Sequence, residues 1–138
     1  MTAVFSGFSE FGRALADHLS AEPAARGAVL SDREGDAIDF AYDPSRVGEL
    51  EVQILGAQLD RAAARMAAWC AAQGRGACEI LIEASHGRMC CAHVDAAYVL
   101  AVLFDPSDAD DATTTAEAER LLAGFRAVRR RIEGLLRS

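Results

Sequence analysis

The sequence predicts a single α/β domain over residues 1–138, with its elements in the order α-β-β-α-β-β-β-α. Three observations carry this. Apolar residues recur in threes and fours in three separate stretches, the period of a helix with one buried side. Between those stretches apolar residues alternate with polar ones, the period of a strand. The run Tyr98-Val-Leu-Ala-Val-Leu-Phe104 is apolar at every position, which predicts a strand covered on both faces and hence central in its sheet.

In order along the chain, Phe8, Phe11, Leu15 and Leu19 give a first helix over about Phe5–Ser20, ended by Glu22-Pro23. Gly27–Ser31 is a short strand. Asp32-Arg-Glu-Gly35 is a tight turn, and Ile38, Phe40 and Tyr42 alternate on the returning strand. Asp43-Pro44 is read as the start of a long helix reaching about Ala72, with Asp43 as cap and Pro44 in the first turn. Its apolar residues Val47, Leu50, Ile54, Leu55, Leu59, Ala62, Met66 and Trp69 cover much of its circumference. Such a helix contacts more than one surface: its own sheet, and a partner. Leaving the second surface bare would create a sticky patch, so the helix predicts a homodimer. Gly74 and Gly76 end it. Cys78–Ala84 alternates with Glu79 and Glu83 as an edge strand, Ser85–Arg88 turns, Met89–Val94 returns, and Asp95–Ala97 leads into the central run. Thr114 and Glu117 have the spacing of a capping box. Beyond them Ala118, Leu121, Phe125, Val128, Ile132 and Leu135 form one apolar stripe on a last helix.

Composition narrows the function. The net charge of −7 repels phosphate and argues against nucleic acid, and 51% hydrophobic residues allow a sizeable core. All 14 basic residues are arginine. Met1–Gly12 has no basic segment followed by an apolar run, so no signal peptide is expected. No stretch approaches the ~18 apolar residues of a membrane span, so no membrane insertion is expected. These features point to the cytoplasm, where the four cysteines are expected as reduced thiols rather than a disulfide framework.

No constellation for catalysis stands out. Cys91 and His93 share a strand face, with Cys90 on the other, and their setting between apolar neighbours favours a core role over a nucleophile and base. Cys78 and His86 are the nearby candidates for further metal ligands, but no ligand-pair spacing is present, and no metal is expected. Asp32, Glu34, Asp36 and Asp39 crowd the first hairpin without the glycine and terminal glutamate of a calcium loop, so they are read as a solvated turn, as is the cluster from Asp105 to Asp111. There is no phosphate-binding glycine loop and no Gly-x-Ser-x-Gly, so no cofactor is expected. Arg126, Arg129, Arg130, Arg131 and Arg137 make the last helix basic near its end, where cations complement the helix dipole; docking of an acidic partner is the sharper alternative.

The segments Gly27-Ala-Val-Leu-Ser-Asp-Arg-Glu-Gly35, the alanine-rich central helix, Glu79-Ile-Leu-Ile-Glu83 and Tyr98–Pro106 together resemble the roadblock family over nearly the whole chain. The long last helix is most similar to bacterial members that regulate Mgl-type, Ras-like polarity GTPases. The resemblance implies an antiparallel five-stranded sheet, as in profilin- and longin-like folds, with the central helix on one face and the two terminal helices on the other. It implies a homodimer built from the central helices and the edge strands, here Leu55, Leu59, Ala62, Met66, Cys78, Ile80 and Ile82. It implies a non-enzymatic platform for a small GTPase, contacted through Gln58, Arg61 and Arg65 on the outer side of the helix. Hydrolysis would be stimulated without an arginine finger, since Arg33, Arg75 and Arg88 are read as lying in turns without rigid support. After the last strand, Asp108–Thr115 replaces the apolar segment common in the family. Two other classes fit a small acidic α/β chain. A dimeric secretion chaperone would place three strands before the central helix and two after. A small-molecule sensor would need a pocket with convergent polar groups.

Overall fold

The computed structural model describes residues 5–6, 9–76, 78–107 and 111–138. Within them the chain runs β1 (Phe5–Ser6), α1 (Glu10–Ala21), β2 (Ala25–Asp32), β3 (Ala37–Tyr42), α2 (Glu49–Ala72), β4 (Ile80–Ala84), β5 (Gly87–Val94), β6 (Tyr98–Phe104) and α3 (Asp111–Arg137). The strands form one sheet in the order β1-β3-β2-β6-β5-β4, antiparallel at every pairing. The five expected strands are all there. The two-residue β1 extends the sheet beyond β3, pairing Phe5 with Tyr42 and Ser6 with Ala41. As expected, β6 is interior, with Leu100 opposite Leu30 on one side and Ala92 on the other, and β4 is an edge.

The pleat sorts the central strand between two cores. Leu100, Val102 and Phe104 pack with Leu15 and Leu19 of α1 and with Leu121, Phe125 and Ile132 of α3. Val99 and Ala101 pack on the opposite face with Val52, Leu59 and Ala63 of α2. Thus α2 covers one face and the terminal helices the other, and the stripe read along the last helix is the one buried. At Gly56, α2 comes so close to β2 that an added Cβ would lie 2.5 Å from Ser31 Oγ and 2.8 Å from a Val29 methyl. Gly35, at φ 86°, gives the β2–β3 turn its left-handed step.

Three helix starts differ from the sequence reading. The first helix begins at Glu10, not Phe5, because Ser9 caps it; its Oγ accepts from the N–H groups of Phe11 and Gly12 at 3.2 and 3.4 Å. Phe8 lies outside the described residues. The central helix begins at Glu49, because Asp43 closes a turn of its own: its carboxylate accepts from the Ser45 N–H, the Ser45 hydroxyl and Arg46 Nε at 3.0, 2.7 and 2.7 Å. Burial works to raise the Asp43 pKa, but these hydrogen bonds and the Arg46 charge together hold it below its ordinary value. Arg46 also reaches Asp105 and the carbonyls of Pro23 and Ala25, fastening this turn to the ends of α1 and β6. The last helix begins at Asp111, so Thr114 and Glu117 lie inside it. The Glu117 carboxylate accepts from Ser107 Oγ at 2.7 Å and from Arg88 at 3.2 Å instead of closing a capping box. The acidic run at 108–110 lies outside the described residues.

Candidate partner-binding surface

α2 presents one side to the sheet and another outward. Val52, Leu59, Ala63 and Cys70 are buried, spaced in sevens, fours and sevens along the inner side. On the outer side Leu50, Ile54 and Trp69 are 68%, 46% and 52% exposed. Gln58, Arg61 and Arg65 are exposed beside them, spaced by three and four residues, so the helix does bring these three onto one face. The surface continues past α2 onto the sheet edge. Ala62, Arg65, Met66 and Trp69 of α2 and Ile80 and Ile82 of β4 line a groove of about 520 Å³. Among the described residues β4 pairs with β5 alone, Ile80 opposite Cys91 and Ile82 opposite Met89, which leaves its outer edge open. Glu79, ahead of β4, accepts from Arg126 and lies 3.8 Å from Arg129, which anchors this edge to α3. Arg75 stands 5.8 Å over the Trp69 ring and holds the indole at the groove's end.

The residues expected at a dimer surface divide into three kinds. Leu55, Ala62, Met66, Ile80 and Ile82 are half-buried, and all but Leu55 line the groove. Leu59 is 6% exposed and packs into the protomer's own core. Cys78 lines a separate cavity of about 230 Å³ with Arg33, Ala67, His93 and Ala96. Sequence reading placed Trp69 only within a broad apolar face. Its exposure was hidden because an apolar residue on a helix marks a contact without saying whether the contact lies inside the chain.

The arginines read as loop residues differ from one another. Arg33 Nε donates to the Ala96 carbonyl at 2.7 Å, tethering one turn to another. Arg88 is not in a turn. It lies in β5, 3% exposed, with Nε on the Asp105 carbonyl at 2.8 Å and its charge on Glu117. Of the basic cluster on α3, Arg126 and Arg129 pair with Glu79, Arg129 also with Glu133, and Arg131 with Asp17.

Asp39 also departs from expectation. It is 4% exposed, not part of a solvated turn, and its carboxylate accepts from the Ser9 N–H and hydroxyl and from the Gly12 N–H. The other three acids, Asp32, Glu34 and Asp36, do gather at the hairpin tip, where Asp32 Oδ1 accepts from the N–H groups of residues 34 and 36. Cys91 is 1% exposed, and burial, helped by Cys78, pushes its thiol up to about 11; burial raises Cys90 further. His93 Nδ1 is buried without a hydrogen-bond partner among the described residues. A thiol so deeply buried has no access to a substrate, and its raised pKa slows any attack further.

Three strands follow α2, unlike the two expected of a secretion chaperone. No family model and no curated protein matches the sequence. Solved structures do resemble it. MglB of Myxococcus xanthus superposes with a TM-score of 0.71 at 14% identity, covering 94% of this chain and 97% of that one. A Roadblock/LC7 domain from Streptomyces avermitilis gives 0.70 at 15%, covering 91% and 97%. The chain has the roadblock fold. A third structure, MglB with a tetrameric arrangement, has a TM-score of 0.63 at 17% identity and covers 90% and 91%. In the roadblock fold as this chain builds it, the outer face of α2 and the free edge of β4 form one continuous, largely apolar surface.

Proposed function

We propose that this chain is a cytoplasmic, non-enzymatic regulator or scaffold that forms a homodimer and binds a Ras-like small GTPase. The observation that carries the reading is the apolar outer face of α2, with Leu50, Ile54 and Trp69 exposed and the groove against β4 beside them. A surface of that kind is stable in water when another protein covers it. The groove and the open β4 edge suit a second copy, helix against helix and edge against edge. Gln58 and Arg61 lie outside the groove and then remain for the GTPase, with the exposed Arg65 bordering both surfaces. The likeness to MglB structures supports the choice of partner class. The raised thiol pKa of Cys91 and the core setting of Arg88 support a role without catalysis by this chain.

The test mixes the purified protein with Ras-like GTPases from the same source, each loaded with GDP or a non-hydrolysable GTP analogue. Sedimentation of the protein alone runs in parallel. A dimer at micromolar concentration and binding at least tenfold tighter to one GTP-loaded GTPase are expected. A stable monomer that binds none of them in either state defeats the reading.

A further inference from the structure

Cys70 and Cys78 meet at one point of the fold. Cys70 is in the last turns of α2, 4% exposed, and Cys78 precedes β4, half-buried. Cys78 Sγ lies 3.9 Å from the Met66 carbonyl oxygen. Cys70 sits one helical turn beyond Met66, and side chains on a helix lean back over the preceding turn, which directs its thiol toward the same turn. Cys78 also shares a cavity with Ala67, three residues before Cys70 and on the same side of α2, which places the two cysteines as neighbours across the α2–β4 junction. At Gly74 and Gly76, between the two cysteines, an added Cβ would meet no neighbour within 4 Å. Cys78 is also reachable from outside. The cavity it lines with Arg33, Ala67, His93 and Ala96 is distinct from the groove against β4. Arg33 at this cavity favours an approaching anion. By contrast, Cys90 and Cys91 are adjacent on β5, face opposite sides of the sheet, and are 0% and 1% exposed.

We propose that Cys70 and Cys78, reduced at rest, form a reversible intramolecular disulfide with an anionic low-molecular-weight disulfide as oxidant, and that this bond fixes the wall of the α2–β4 groove. The Cys78 thiolate attacks one sulfur of the small disulfide, whose S–S bond breaks and whose other half leaves as a thiolate. Cys70, deprotonated, then attacks the Cys78 sulfur of the mixed disulfide and expels the second small thiolate. The two protein protons end on the two small thiols, and the small disulfide takes the two electrons. Met66 and Trp69 precede Cys70 on α2, and Ile80 follows Cys78 on β4, so the cross-link holds both walls of the groove. The effect on assembly rests on reading that groove as the self-association surface; the disulfide itself does not. The neighbouring Cys70 thiol, then burial, pushes the Cys78 thiol up to about 11, so at neutral pH the first step is slow. Its rate rises about tenfold from pH 7 to pH 8, with the thiolate fraction.

The experiment exposes the folded protein to oxidised glutathione at pH 7 and pH 8, blocks free thiols, and digests with trypsin. Cleavage after Arg65, Arg75 and Arg88 puts Cys70, Cys78 and the Cys90–Cys91 pair on three separate peptides. Peptides 66–75 and 76–88 are expected joined, with Cys90 and Cys91 blocked as free thiols and the joint undone by dithiothreitol. Formation should be about tenfold faster at pH 8, and the oxidised form should unfold about 5 °C or more higher. Cys70→Ala should stop at Cys78 joined to glutathione, and Cys78→Ala should leave Cys70 unmodified. Four free thiols, a joint to the Cys90–Cys91 peptide, or a link between chains overturns the disulfide. Sedimentation of the two forms tests the consequence: at least threefold tighter self-association when oxidised is expected, and equal dimerisation overturns the link to the groove. A wild type monomeric in both forms defeats the dimer reading and leaves the disulfide standing.

Discussion

Asp39 satisfies the start of a helix that lies 27 residues away in sequence, accepting from the Gly12 N–H at 3.0 Å and from Ser9. Removing a buried carboxylate that accepts several hydrogen bonds leaves those donors unpaired, so Asp39→Ala should lower unfolding free energy by about 2–3 kcal/mol. Ser9→Ala, which removes the local cap alone, should lower it by about 1 kcal/mol. Urea titration of the two variants checks the order, and equal losses would show that the long-range acceptor adds nothing. This role was not legible in the sequence. Four acids in one hairpin look alike, and what separates Asp39 is its place on the strand face turned toward α1, set by a partner far along the chain. His18 is a second such residue. Burial against the Phe104 ring lowers its pKa, and the charge of Glu22, itself paired with Arg120, works the other way. The folded state therefore takes up a proton at His18 less readily than the unfolded chain, which does so as pH falls through 6.5. Stability is then full above pH 6.5 and declines below it, by at most about 1.4 kcal/mol per pH unit. His18→Leu should flatten the profile between pH 7.5 and 5. An unchanged slope would assign the acid sensitivity to other groups.

Helices and strands were legible where one pattern ran unbroken. The alternation at Ile80 and Ile82 and the stripe from Leu121 to Ile132 correspond to observed elements with the faces assigned. Element ends were less legible, because the capping competition is settled by specific bonds. Asp43 was read as opening α2, yet Ser45 and Arg46 take both its oxygens. The outer face of α2 was blurred for another reason: its apolar residues serve two surfaces, and periodicity does not divide them. The structure does, and two substitutions should separate accordingly. Leu59, 6% exposed among Val52, Val99 and Ala101, belongs to the core. A glutamate there is a buried, unpaired charge, and Leu59→Glu should cost about 3 kcal/mol or more and impair folding. Met66 lines the groove, so Met66→Glu should leave the circular dichroism spectrum and melting midpoint near those of the wild type while weakening self-association at least tenfold. Dimer formation by folded Met66→Glu at wild-type strength would remove the groove from the interface.

At the scale of the whole molecule, the layering follows from how much apolar surface each strand must hide. β6 has a core on both faces, and its seven apolar residues announced that in the sequence. What the pattern did not carry is the use of the outer surface, since exposed arginines serve solvation, ion pairing or recognition with the same residue type. The structure separates them by partner, and this fixes expectations for six positions tested with a GTP-loaded GTPase. Gln58, Arg61 and Arg65 are exposed along one side of α2. Alanine there should weaken binding, by about 2 kcal/mol at a position that becomes buried and by little at the rim, while circular dichroism stays unchanged. Arg33 is held at the Ala96 carbonyl and Arg75 lies over Trp69. Neither is free to enter a nucleotide site without breaking its contact, so alanine at either should leave the maximal rate of GTP hydrolysis within about twofold, against the ~1000-fold or greater loss that removing an arginine finger brings. Arg88 is 3% exposed and pairs with Glu117, so Arg88→Ala should act on folding, lowering unfolding free energy by about 3 kcal/mol. Any loss of GTPase stimulation should then track the fraction unfolded, and lowering the assay temperature should restore it. If Arg33→Ala or Arg75→Ala abolished stimulation while the complex still formed, a donated arginine would be part of the reaction and the finger-free mechanism would fall.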